Sequence, residues 1–342
     1  MKYLYILFSF INNLVFFIIS IILYNMPRTK KAIDDNIAKA LREYKPDITE
    51  SSLRTYMMNL SHIASYYDKP LTPALFKDFD EFKKDCEELK YSNATLKNKV
   101  ASILIYLRMT KQPAELIKKY NDWFDMLSGK ISREHAKMDK NIKEEENWMT
   151  KDNLIEYTNK LKSELPTKPT SKVDMSKWMK YITLLIHTYY PFRNELADTE
   201  IVTSVKNNNP DVNYFIVDQK KKTVKALIQA YKTKKTYKDI NINIVPAVAN
   251  EIITYYKHLT NYKKANDINN DWMLLAKNND KMTRNDFTYF VKSIFEPLGK
   301  NISTTMIRKI IVSDLYPVEE MKQLAQVMGH DVQTSLNYYA KD

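Results

Sequence analysis

The apolar positions of this chain change their period twice. Residues 3–24, YLYILFSFINNLVFFIISIILY, are a continuous uncharged run with no period at all. Such a run is long enough to cross a bilayer as a helix. From residue 26 to 140 apolar residues recur at three and four. In SSLRTYMMNLSHIASYY the stripe is Leu53, Tyr56, Met57, Leu60, Ile63 and Ala64, with Ser51 or Ser52 placed to cap it. NATLKNKVASILIYLRM repeats the pattern through Leu96, Val100, Ile103, Leu104 and Leu107. Shorter helical runs lie near 33–44, 73–89 and 113–127. No alternating run interrupts them, so 26–140 is expected to be a small helical domain.

Residues 128–147, SGKISREHAKMDKNIKEEEN, are polar and charged; they are expected to be linker, either irregular or partly helical, with 141–147 between the two domains. A second domain, 148–342, opens with Thr150 as a helix cap. Its first strong stripe is Trp178, Ile182, Leu185, Ile186 and Tyr189, stopped by Pro191. The pattern then alternates, predicting strands near 213–218, 223–231 and 237–245, joined by lysine-rich turns at 220–222 and 232–235. Helical spacing returns through 247–263, 283–296, 303–315, 318–328 and 331–340. The expected fold class is mainly α with a small antiparallel β-sheet.

Composition adds a partner and removes some chemistries. The 342 residues are 44% apolar, enough for two cores of ordinary size, and the net charge is +12. That charge suits a polyanion, either nucleic acid or an anionic membrane surface. The single cysteine, Cys86, excludes an intrachain disulfide and any cysteine-based zinc site, and it fits a reducing intracellular setting. The five histidines are scattered, so neither a metal centre nor a cofactor is expected. Glycine is scarce, and Lys, Asn, Ile and Tyr are abundant, as in translation of AT-rich DNA. Residues 1–25 therefore have two readings. One is AT-rich sequence upstream of a true start at Met26; the other is a membrane segment followed by Arg28, Lys30 and Lys31.

The candidate chemistry lies in the second domain. Arg193 follows the Pro191 stop, lysines crowd the 232–235 turn, and Arg308 sits on an amphipathic stretch. Gly329-His330 comes twenty-two residues after Arg308, and Tyr339 nine residues after His330. A phosphodiester resists attack because anionic oxygens shield its phosphorus. Two guanidinium groups, each permanently charged and able to bind two oxygens, answer that shielding without metal. A phenol beside such cations can act as nucleophile, and a lysine can protonate the leaving oxygen.

This ordered set resembles the tyrosine recombinase, or phage integrase, family. The resemblance covers 148–342 by motif, as the α+β catalytic domain. It covers 26–140 more loosely, as the helical core-binding domain that clamps DNA. It implies that Arg193 and Arg308 bind the scissile phosphate and that His330 donates to it. It implies that Tyr339 attacks to form a 3′-phosphotyrosine, and that Lys232 protonates the 5′ oxygen, with Lys234 and Lys235 as competitors. Further DNA contacts are expected from Thr305, Lys97 and Lys99. The implied partner is double-stranded DNA, held by a homotetramer on two sites. The AT-rich bias suits a mobile element or virus.

Three positions depart from the family pattern. Glu195 stands two residues after Arg193 where an acid usually stands three after. Thr305 replaces the usual His or Lys, and Tyr190-Pro191-Phe192 replaces a glycine turn. The chain also stops three residues after Tyr339, so the tail that docks on a neighbouring protomer is expected to be short. Two alternatives stay open: a type IB topoisomerase-like enzyme, and a catalytically impaired DNA-binding relative.

Overall fold

The structure is a computed structural model that describes residues 35–137, 139–314 and 324–329. The chain divides into two compact units, with the boundary between Ser132 and Arg133. The leader, residues 1–25, lies outside the described residues. Among the described residues no helix is long and apolar enough to cross a membrane.

The first unit is helical. Its helices are α1 (Asp35–Tyr44), α2 (Glu50–Tyr66), α3 (Phe79–Glu88), α4 (Asn93–Met109) and α5 (Ala114–Ala136), the last of which runs past the boundary. Thr49, Asp78 and Ser92 cap α2, α3 and α4 by accepting backbone amides three residues on. Thr49 therefore starts α2, ahead of the expected Ser51 or Ser52. The predicted stripes are buried: Leu53, Met57, Leu60 and Ile63 from α2, and Leu96, Val100, Ile103, Leu104 and Leu107 from α4. Phe76, Phe82, Tyr120 and Trp123 fill the rest with edge-on and tilted ring contacts. Helix α4 is enclosed on more than one face, since Lys99, Ser102 and Tyr106 are buried too.

The second unit contains α6 (Ile142–Asn147), α7 (Lys151–Ser163), α8 (Lys172–Tyr189), α9 (Lys234–Tyr237), α10 (Pro246–Ala265), α11 (Arg284–Phe295) and α12 (Thr304–Ser313). Its strands β1 (Thr199–Val202), β2 (Asn213–Asp218), β3 (Thr223–Ile228) and β4 (Ile240–Asn243) form one sheet in that order. The central helix is α8, with Trp178, Ile182, Leu184, Ile186 and His187 buried. Helices α7, α10, α11 and α12 pack against it, and α10 also covers β3.

Three expectations change here. The sheet is mixed: β2, β3 and β4 are antiparallel, but β1 joins β2 in parallel, Thr199 opposite Asn213. The 141–147 stretch is a helix rather than linker. Asn141 and Glu144 form its capping box, and Glu144 is buried against Lys309 of α12. The expected strand 223–231 ends early because the Asn213 side chain takes the amides of Gln229 and Ala230, at 2.9 and 2.8 Å. A side-chain oxygen thus replaces a neighbouring strand as acceptor, which frees the chain to turn into α9.

Candidate active site

Arg193 owes its place to the end of α8. Pro191 cannot extend the helix, and Tyr190 already closes it with a 2.7 Å bond from its amide to the Ile186 carbonyl. The Tyr190 hydroxyl then accepts from the Val245 amide at 2.9 Å, pinning the turn. Arg193 follows, half-buried, just before a 3-10 turn at Glu195–Asp198 that feeds β1. Glu195 is buried, and its carbonyl accepts from Thr199 and Asn213.

Arg308 lies in the middle of α12, among Ile307, Ile310, Ile311 and Val312, and is 1% exposed. A guanidinium placed this deep carries a heavy desolvation cost, so such a position usually signals a specific task. One turn earlier, Thr304 donates its hydroxyl to the Asn194 side-chain oxygen at 2.8 Å. That bond ties the Arg308 helix to the residue beside Arg193. His187 lies near both: its Nε2 is 3.4 Å from the Arg193 carbonyl, and its pKa is lowered by burial with a further contribution from the Arg308 charge. The two arginines are therefore carried by elements that meet.

The Thr304–Asn194 bond is buried on the Thr304 side, so Thr304→Val should cost about 1 kcal/mol of stability. Urea unfolding checks the figure; no loss would show that the bond does not hold these elements together.

The lysine turn reaches the same neighbourhood through Gly329. Thr233 donates its hydroxyl to the Gly329 carbonyl at 2.8 Å. Gly329 has φ +63°, and a Cβ there would stand 2.7 Å from Cε2 of Tyr231. Only glycine suits that conformation and that approach. Lys232, between Tyr231 and Thr233, thus stands beside the residue that precedes His330 in sequence. His330 and Tyr339 lie outside the described residues. Lys232 and Lys235 are exposed, whereas Lys234 pairs with Asp239 at 3.1 Å. The predicted turn is in fact the one-turn helix α9. Thr305 is exposed in the first turn of α12, one residue from the engaged Thr304.

Arg284 is a contributor the sequence reading passed over. Its Nε pairs with Asp198 at 2.5 Å, and its Nη2 donates to the Ala230 carbonyl at 3.0 Å. Its own carbonyl accepts from the Asn194 side chain at 3.3 Å. It therefore joins the strand end before Lys232 to the turn that carries Arg193. One signal was available: a basic residue in a first helical turn opposes the helix dipole, so it needs a partner elsewhere.

In the first unit the two lysines expected on DNA behave differently. Lys97 is partly buried with its ammonium 5.1 Å from the Phe124 ring centre. Lys99 is buried, its ammonium 4.9 Å from the Tyr91 ring centre, and burial lowers its pKa. Lys99 is thus part of the interior and not a surface cation, because α4 is enclosed on the face where that residue falls.

The sequence matches no protein-family model and no curated protein. Two solved structures are similar to it along most of its length. The crystal structure of XerA recombinase aligns with 90% of this chain and 94% of its own, at 11% identity and a TM-score of 0.39. XerH site-specific recombinase, bound to its difH substrate in a pre-cleavage complex, aligns with 88% of this chain and 91% of its own. There the identity is 13% and the TM-score 0.44.

Proposed function

We propose that this protein is a tyrosine-type DNA recombinase or integrase that breaks and rejoins DNA without metal or nucleotide. The observation that carries the proposal is the tie between the Arg193 turn and the Arg308 helix, through the Asn194–Thr304 hydrogen bond. Two guanidinium groups on elements fastened in this way suit a single tetrahedral anion. In the proposed reaction they bind the non-bridging oxygens of the scissile phosphate, and His330 adds a hydrogen bond. The Tyr339 phenol loses its proton and attacks phosphorus. A 3′-phosphotyrosine forms as the bond to the 5′ oxygen breaks, and Lys232 gives that oxygen its proton. The reverse step joins a different 5′ hydroxyl, so no external energy is consumed. The net charge of +12 supplies the phosphate contacts that would dominate affinity and make it fall steeply with salt. Strand exchange between two sites calls for a homotetramer, working as an intracellular, DNA-associated assembly.

The test is a nicked duplex whose cleavage releases a short 5′-hydroxyl fragment. With it, the protein should leave a covalent DNA adduct on a denaturing gel. Tyr339→Phe should abolish the adduct while mobility-shift binding persists. An adduct that survives in Tyr339→Phe but disappears in Tyr338→Phe would overturn the nucleophile. Binding with no adduct in the unaltered protein would favour the impaired relative, and relaxation of supercoils by a monomer would favour the topoisomerase-like enzyme.

A further inference from the structure

His187 is fully buried at the last turn of α8, and its two ring nitrogens both face carbonyls. Nδ1 lies 2.7 Å from the Thr183 carbonyl oxygen, and Nε2 lies 3.4 Å from that of Arg193. A neutral imidazole has only one N–H. The shorter contact is where that hydrogen belongs, so Nδ1–H donates to Thr183. The lone pair of Nε2 then faces an oxygen lone pair, and the 3.4 Å spacing fits a contact with no hydrogen in it. A proton on Nε2 would turn this contact into a charge-assisted hydrogen bond to the Arg193 backbone.

The surroundings disfavour that proton in the free protein. Burial disfavours the cation most, and Arg308 on α12 adds like-charge repulsion. The turn after α8 contributes the Arg193 carbonyl, and α8 itself contributes the Thr183 carbonyl; each favours the cation by less than burial disfavours it, and by more than Arg308 repels it. Helix α11 contributes the uncharged ring of Phe287, stacked at 6.0 Å. A phosphodiester bound by Arg193 and Arg308 would bring a negative charge to this cluster and offset the repulsion.

We propose that His187 is a positioning residue which takes up a proton from solvent when a phosphodiester binds, and donates Nε2–H to the Arg193 carbonyl, fastening that turn in its DNA-bound register. The inference rests on the function proposed above and names a regulation of the same site. It makes DNA binding proton-linked. Affinity should strengthen as pH falls through the window between the free and bound pKa of His187, which lies below the usual histidine value because burial lowers the free pKa. The sign follows from the direction of the change: a pKa raised by binding means that the complex holds more protons than the free protein.

The experiment follows the His187 imidazole by NMR in the full-length protein, free and with duplex DNA, its signal identified by loss in His187→Gln. The pKa of His187 should rise by about one pH unit on binding. Calorimetry across a pH series in two buffers of different ionisation enthalpy should show that His187→Gln takes up fewer protons, by at most about half a proton per bound protomer for a one-unit rise. Glutamine keeps a donor for the Arg193 carbonyl but cannot titrate, so its affinity should lose this pH dependence. DNA binding with an unmoved His187 titration would overturn this inference and leave the DNA reading standing. Failure to bind DNA at all would overturn both. If His187→Gln does not fold, the titration can still be read by selective labelling of the unaltered protein.

Discussion

Arg308→Met should lower the rate of covalent adduct formation by about 10²–10³. The size follows from chemistry: one preorganised, permanently charged donor to the developing phosphorane charge is removed. Arg308 is 1% exposed and engaged inside the unit, so Arg308→Met also removes a buried charge from the groups it meets. Breaking a buried charge interaction from one side is destabilising. The thermal midpoint should therefore fall along with activity. Arg308→Lys should not restore the rate, since a point charge cannot form the paired bonds of a guanidinium. Single-turnover cleavage of a nicked duplex and calorimetry of the same samples make the check. An unchanged rate in Arg308→Met would remove this residue from the reaction.

Gly329→Ala is the second large effect, and it acts through shape. The new Cβ would stand 2.7 Å from the Tyr231 ring and 3.0 Å from the Thr233 hydroxyl, at a backbone φ of +63°. The left-handed conformation costs about 1–2 kcal/mol for a residue with a Cβ, and the overlap adds about 1–3 kcal/mol. Tyr231 cannot swing aside freely, because its hydroxyl donates to the Lys238 carbonyl at 2.6 Å. The strain should be relieved by parting Gly329 from the 231–233 segment, which would disturb Lys232 and the approach to His330 together. Gly329→Ala should therefore lose both stability and cleavage. Adding Tyr231→Leu should recover the part due to overlap but not the part due to φ. Urea unfolding of both variants separates the two contributions. A Gly329→Ala protein as stable and active as its parent would show that this contact is not tight.

Where a segment buries one face, the chain read clearly. The stripes of α2 and α4 are local repeats, and those helices lie where the repeats predict because each must hide that face in a core. Helix α8 also lies where predicted, but it is buried around most of its surface while Tyr189 of its stripe is exposed. The parts that diverge answer to distant partners. Strand β3 stops at Ile228 because Asn213, fifteen residues earlier, captures the next two amides. The 141–147 stretch carries its own helix signal, the Asn141–Glu144 capping box, but its place in the second unit depends on Glu144 meeting Lys309 far along the chain.

The site divides in the same way. Arg193 and Arg308 could be named from residue type and spacing, since the proposed phosphate site needs permanent charges; Gly329 stands out only through its spacing in the Gly329-His330 pair, and its close approach to Tyr231 belongs to the structure. Arg284, His187, Asn194 and Thr304 could not, because none has a local feature that states its partner. Their roles exist only where α8, α11 and α12 come together with the end of β3. Lys99 shows the converse: helical spacing placed a lysine beside other basic residues, and packing on a second face of α4 took it inside. Local periodicity records which side of an element avoids water. Hydrogen bonds between elements depend on which sides finally meet, and that is settled by the packing of the whole unit.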